Sequence, residues 1–207
     1  MVNEILRNPF YHNQWFPHKS NKLSIVSTVS IGIYKGYETL LTAANILLNY
    51  SRIEFEWKLI GYSQTHKCAK ISHHMTGLNP DNCNIVFLGV KNANEMVDIL
   101  KTSDIYCHVS HIENSPNSVC EAMILGMPVI STFAGGTASM LENGKEGILI
   151  QDGDPFILAG AILDMWNNYS LAIEYGKNAR ERALKRHSPE TVGKEVLNAY
   201  NKILQNG

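Results

Sequence analysis

Short apolar runs alternate with longer segments of helical periodicity along most of this chain. Leu23–Val29, Glu56–Ile60, Asn84–Leu88, Asp104–Val109, Pro128–Thr132 and Gly147–Ile150 read as strands. Most are nearly continuous apolar runs, as expected of parallel strands covered on both faces. Between them, Glu38–Asn49 repeats Leu40, Leu41, Ala44, Leu47 and Leu48 at helical spacing, and Asn94–Lys101 does the same with Met96, Val97 and Leu100. A further helix ends at Leu125, where Gly126 and then Pro128 form a stop signal that delivers the chain into the next strand. The alternation predicts an α/β fold, a Rossmann-like, doubly wound parallel sheet of about six strands.

The C-terminal part turns helical. Thr191–Leu204 puts Val192, Val196, Tyr200 and Ile203 near one stripe, and the preceding helix ends in Arg180, Arg182, Lys185 and Arg186, which read as a solvated basic C-terminus. Residues 1–22 read as a lead-in with a linker over Asn8–Ser20, and residues 23–207 as one Rossmann-like domain. The aromatic group Phe10, Tyr11, Trp15 and Phe16 fits packing on this domain or on a partner domain.

Composition agrees with one buried core. The chain has 207 residues, 44% of them apolar and 18% charged. A net charge of −1 carries no field of the kind that marks a nucleic-acid or membrane-surface binder, so a small partner is expected. The longest apolar stretch, Leu40–Leu48, is interrupted by Thr42 and Asn45 and falls far short of the roughly 18 residues of a membrane span. No basic segment followed by an apolar run opens the chain. These features lead to an expectation of a cytoplasmic protein, with any membrane contact peripheral. Cys68, Cys83, Cys107 and Cys120 form no CxxC pair and read as reduced, buried thiols.

In a doubly wound sheet, ligands bind in the loops at the carboxyl ends of the strands. The richest of these is Ser110–Ala122, SHIENSPNSVCEA. Ser115 is placed to cap the following helix with Pro116 at its first position. The exposed N–H groups at that end, including those of Asn117 and Ser118, make an anion site suited to a pyrophosphate. Glu113 precedes the helix and Glu121 lies inside it, so two carboxylates approach one anion pocket from different directions. That arrangement suits hydroxyls, which sugars and riboses present. His108 and His111 invite a metal reading with Glu113. Residues three apart on a strand face opposite sides, however, so no metal is expected. His73 and His74 fall on a polar helical stretch and read as surface residues.

Glu113, seven intervening residues, Glu121, then Ala122 and Gly126-Met127-Pro128-Val129-Ile130, resembles the signature of the family-four retaining glycosyltransferases of GT-B fold. Lys35-Gly36 after the first strand resembles that family's phosphate-binding lysine turn, and Phe87-Leu88-Gly89 its strand end beside the nucleotide base. Gly135-Gly136 and the stretch Glu142–Ile150 resemble its glycine pair, turn and last strand. The likeness runs in the family's order from about Leu23 to Leu204.

The resemblance implies one half of a GT-B enzyme, its C-terminal donor-binding domain. Glu121 would bond ribose hydroxyls, and Glu113 would hold hydroxyls of the donor sugar near the reacting carbon. Lys35 would neutralise charge on the departing diphosphate, aided by Gly32 in the lysine turn and by the amides from Ser115, Pro116, Asn117 and Ser118 beside Asn114. Val90 and Lys91 would flank the base. The partners it implies are a UDP- or GDP-sugar, an N-terminal acceptor domain absent from this chain, and a glycan or lipid-linked acceptor. It implies no cofactor, because the lysine and a helix N-terminus take the place of a metal. Two positions depart from the pattern: Ser30 stands where the family places an arginine, and Thr137-Ala138-Ser139 where it has a proline and a glutamate. A non-catalytic sugar-nucleotide-binding module and a sugar-nucleotide epimerase of the same fold therefore stand beside the transferase.

Overall fold

The computed structural model describes residues 8–18 and 20–205. Readings that touch residues 1–7, 19, 206 and 207, including the start of the lead-in and the opening segment, lie outside the described residues. Six strands form one parallel sheet: β1 (Lys22–Val29), β2 (Glu54–Gly61), β3 (Ile85–Gly89), β4 (Ile105–His108), β5 (Val129–Thr132) and β6 (Ile148–Ile150), in the order β3-β2-β1-β4-β5-β6. The expected α/β doubly wound sheet is thus present, and every strand expected from the apolar runs is there within a residue or two at each end. Ile25 pairs with Trp57 on one side and Ile105 on the other, so the centre of the sheet is apolar in both directions.

The helices are α1 (Pro9–His12), α2 (Tyr37–Tyr50), α3 (Lys67–Thr76), α4 (Ala93–Lys101), α5 (Asn117–Leu125), α6 (Thr137–Met140), α7 (Pro155–Asn167), α8 (Tyr169–Arg186) and α9 (Pro189–Gln205). Local chemistry sets several boundaries. Asn92 and Glu95 form a reciprocal capping box on α4, Asp154 caps α7 with Pro155 at its first turn, and Gly126 closes α5 in the left-handed conformation. Helix α2 packs against α3 and α7, while α5 packs against α8 and α1. With right-handed crossovers running outward from β1 and then back to β4, the two groups cover opposite faces.

Between Asn8 and Ser20 the chain is no linker. Phe10 and Trp15 are buried in the core; the Trp15 N–H donates to Leu125 O at 2.8 Å and its indole Nε1–H to Ser103 O at 2.7 Å. Tyr11 packs against the same core, whereas Phe16 stays exposed. Nor is the basic end of α8 simply solvated: Arg180 donates to the Ile124 carbonyl, Arg182 pairs with Glu146 at 3.3 Å, and Arg186 donates to Ser139 O at 2.9 Å. His73 is half-buried with Nε2 3.0 Å from the Tyr37 hydroxyl, so only His74 is a surface residue as expected. All four cysteines are buried and free. No described helix is long and apolar enough to cross a membrane.

The strand order sets the position of the site. The chain leaves β1 toward β2 and β3, then returns to lay β4 on the other side of β1. The loops after β1 and β4 diverge there to opposite faces and leave a crevice at the carboxyl edge, the switch point of the sheet.

Candidate functional site

After β1 the backbone makes a turn that only glycine allows at two points. Gly32 has φ +147° and Gly36 φ +74°, and a β-carbon on Gly36 would lie 1.8 Å from the Val109 carbonyl oxygen. Between them Ile33–Lys35 forms one 3₁₀ turn. The bare backbone of Gly36 therefore lets the lysine turn sit against the end of β4. The His111 N–H, donating to Tyr34 O at 2.9 Å, fastens the two loops together.

The loop after β4 is held from its other side by the glycine pair. A β-carbon on Gly135 would fall 1.6 Å from Glu113 O and one on Gly136 2.3 Å from Asn114 O, while the Gly136 N–H donates to Asn114 O at 2.8 Å. Gly135 and Gly136 therefore shape the Glu113 loop by close packing. The His111 imidazole bonds Glu38 of α2 through Nε2 and faces Asp152 through Nδ1 at 3.5 Å.

These constraints bring Lys35 and Glu113 together. Lys35 Nζ lies 2.5 Å from Glu113 Oε1 with both side chains largely buried, and His108 Nε2 lies 3.3 Å from the same oxygen. The hydrogen bond from His108, with further contributions from Lys35 and Ser110, holds the Glu113 carboxyl down at about 2 although burial opposes ionisation. His108 and His111 thus point to different partners, and no group of three or more His, Cys, Asp or Glu side chains that could hold a metal occurs among the described residues.

Beside the pair lies a cleft of about 450 Å³. Lys35, Val90, Lys91, Glu113, Ser115, Pro116, Asn117 and Ser118 all line it, as do Ser30 and His108. Val90 is exposed at the mouth, and Lys91 pairs with Glu95 at 3.6 Å. Helix α5 aims its N-terminus into the cleft, and the amides of Asn117 and Ser118 have no acceptor among the described residues. Such a terminus carries a partial positive charge. The capping differs from expectation: the helix begins at Asn117, Pro116 occupies the cap position without a side-chain bond, and Ser115 Oγ instead lies 3.5 Å from Met140 Sδ.

Three expected residues stand back from the cleft wall. Gly32 shapes the lysine turn and Asn114 anchors Gly136. Glu121 sits one turn into α5, half-buried, with no hydrogen bond or ion pair among the described residues, and burial raises its carboxyl to about 7. The two glutamates therefore occupy opposite electrostatic settings, Glu113 bonded through Oε1 to Lys35 and His108, and Glu121 without a partner among the described residues. Sequence reasoning missed the bond of His108 to Glu113. His108 lies in an apolar strand, which signals burial, but its pairing opposite Ser131 on β5 follows from a strand register that the sequence does not display.

The chain is similar to known proteins in sequence and in fold. The family model described as glycosyl transferases group 1 matches residues 12–182. The capsular polysaccharide biosynthesis glycosyltransferase CapM of Staphylococcus aureus is 27% identical over 124 residues, 60% of this chain and 32% of that protein. Among solved structures, sucrose-phosphate synthase of Thermosynechococcus elongatus superposes with a TM-score of 0.72 at 22% identity, over 93% of this chain and 50% of that one. Anabaena HepE, crystallised with UDP-glucose, superposes at 0.70 and 19% identity, over 97% of this chain and 52% of that one. The chain thus spans about half the length of these solved structures and a third of CapM. The family match covers most of the sequence, and the chain belongs to the group 1 glycosyltransferases.

Proposed function

We propose that this chain is the donor-holding half of a retaining glycosyltransferase, binding a UDP- or GDP-sugar for transfer to a glycan or lipid-linked acceptor in polysaccharide or glycoconjugate synthesis. The observation that carries the reading is the Lys35–Glu113 pair beside the bare N-terminus of α5, at the switch point of the sheet. Lys35 and the amides of Asn117 and Ser118 take the diphosphate, Glu113 takes sugar hydroxyls, Val90 and Lys91 flank the base, and Glu121 reaches the ribose. As the bond between the anomeric carbon and the diphosphate oxygen breaks, its electron pair leaves with the diphosphate, the acceptor hydroxyl oxygen bonds the same carbon, and the proton of that hydroxyl passes to the departing diphosphate. The lysine and the helix terminus stabilise that growing charge. In this scheme the Lys35 ammonium and the partial positive charge of the helix terminus take the place a metal would hold. The HepE structure with UDP-glucose supports a sugar nucleotide as the ligand class.

Such chemistry needs water excluded and an acceptor bound, which in this reading a second lobe supplies. Exposed Ile31, Ile33, Tyr34, Ile112 and Phe133 surround the carboxyl edge of the sheet, and α9 leaves Val196, Leu197, Tyr200 and Ile203 uncovered. Both surfaces fit contact with a second, acceptor-binding lobe. The full protein then works in the cytoplasm, with any membrane contact peripheral.

Calorimetry with UDP, GDP and their sugars tests the donor site, and turnover assays of the chain alone and joined to its upstream half test the division of labour. Turnover by the isolated chain at the rate of an intact enzyme would overturn the half-enzyme reading. Ser30 in the cleft wall favours one second reading, a binding module without transfer, because no second cation faces the phosphate site from that position. The joined protein would then bind donor and transfer nothing. An epimerase of this fold would instead convert or hydrolyse its donor without acceptor.

A further inference from the structure

Two donors of different stiffness converge on one oxygen of Glu113. Lys35 Nζ and His108 Nε2 lie 2.5 and 3.3 Å from Oε1. Lys35 stands at the end of a long flexible side chain on a single 3₁₀ turn between two glycines. His108 is the opposite case. It is the last residue of β4, is 3% exposed, and its Nδ1 is fixed 3.1 Å from the Ser131 hydroxyl, directly across the β4–β5 ladder. The imidazole is thus tied at both nitrogens, one end in the sheet and the other on the carboxylate.

Proton inventory sets the direction of these bonds. Ser131 Oγ either donates to His108 Nδ1 or keeps its proton on Thr132 O, 3.4 Å away. In the first case the neutral ring carries its proton on Nε2; in the second Nδ1 donates, and a proton on Nε2 makes the ring a cation. An attractive contact with the Glu113 carboxylate, which only accepts, requires the Nε2 proton in both cases. A diphosphate entering the cleft competes with Glu113 for the Lys35 ammonium, and of the two donors only the lysine has the reach to follow it.

We propose that His108 is the positioning residue that keeps Glu113 aimed at the donor sugar once Lys35 turns to the diphosphate. This rests on the donor-site reading above. The histidine transfers no proton in this role; it fixes the orientation of a carboxylate that loses its nearer donor, the Lys35 ammonium at 2.5 Å, on ligand binding.

The test separates the sugar from the nucleotide. Affinities of the whole chain for UDP, UDP-glucose, UDP-N-acetylglucosamine, GDP and GDP-mannose are measured by calorimetry. The ratio of sugar-nucleotide to nucleotide affinity is then followed for the best pair. His108→Asn keeps a polar contact to Ser131 and is too short to reach Glu113, whereas His108→Gln places an amide donor near the position of Nε2. The expected result is a fall in the ratio of about 10-fold in His108→Asn, recovery to within about 3-fold of the native ratio in His108→Gln, and diphosphate affinity within about twofold in both. In a Glu113→Gln background, His108→Asn has no further effect on the ratio. An unchanged ratio in His108→Asn, or the same fall with Glu113 already replaced, overturns the proposal while leaving the donor site standing. Absence of binding by the native chain to any of the five ligands overturns the donor site and the proposal with it.

Discussion

The α-carbon of Gly135 is pressed against the carbonyl oxygen of Glu113, so closely that a β-carbon there would lie 1.6 Å from it. Gly135 also has φ +53°, in the left-handed region. Gly135→Ala must therefore displace the loop that carries Glu113 as well as strain its own backbone, and we expect a loss of about 2–4 kcal/mol of stability. Gly77→Ala is the control, because Gly77 has φ +68° with nothing within 4 Å of its would-be β-carbon. It should cost only about 1–2 kcal/mol. Urea unfolding of both variants measures the difference, and equal losses would remove the close approach as the cause.

Glu113 makes acid stability a readout of its donors. Its carboxyl is held at about 2, against an ordinary 4.5, chiefly by the bond from His108. A group depressed in the folded state contributes stability that is present above its unfolded value and lost as pH falls through the folded one. The native chain should therefore lose, between about pH 4.5 and pH 2, a share of stability that Glu113→Gln does not lose. Denaturant titrations at pH 6, 4 and 3 report this as a smaller pH slope in the variant.

Glu121 has the opposite sign. Burial raises its carboxyl to about 7, so its favourable neutral form is fully present below about 4.5 and is lost as pH rises through 7. Glu121→Gln should match the native chain below pH 4.5 and exceed it in stability at pH 8. If the ionised carboxylate accepts a ribose hydroxyl, nucleotide affinity of the native chain also rises between pH 6 and 8, and Glu121→Ala weakens binding by about 1.5–3 kcal/mol at pH 8. Nucleotide affinity that ignores both the substitution and the pH would take Glu121 out of the site.

Much of this was legible in the sequence for a physical reason. Parallel strands buried on both faces must be apolar throughout, so Leu23–Val29 and Pro128–Thr132 announced themselves, and the Gly126–Pro128 stop marked the end of α5 without any tertiary knowledge. Glu113 and the residues from Ser115 to Ser118 were singled out because loops at the carboxyl edge are where such a sheet can bind a ligand, and Lys35 because Lys35-Gly36 resembles the family's lysine turn; all of them line one cleft. Contacts set by three-dimensional register stayed hidden. The Ser131 that meets His108 is 23 residues away, and the Glu38 that meets His111 is 73 away. Ser115 had the composition of a cap, yet Pro116 took that position and left the Ser115 hydroxyl beside Met140.

The lead-in shows the same limit. Its polar and aromatic composition fits a linker, yet Trp15 fills a core site and donates its indole N–H to Ser103 O. Trp15→Ala should cost about 3–5 kcal/mol through the cavity and the orphaned carbonyl. Trp15→Phe should cost less, because most of the volume is kept. Thermal unfolding of the two variants checks the order, and a loss within about 0.5 kcal/mol of native for Trp15→Ala would return the segment to the status of a linker.

We propose that Lys35 and the bare end of α5 form a diphosphate site. The most direct test is calorimetric titration of the chain with UDP and GDP, native and Lys35→Met side by side. We expect the native chain to bind at least one of the two and Lys35→Met to bind it roughly 10- to 100-fold more weakly, as the loss of a charged hydrogen bond requires. Binding of neither nucleotide by the native chain, or equal affinity in Lys35→Met, would rule out a diphosphate site at this lysine.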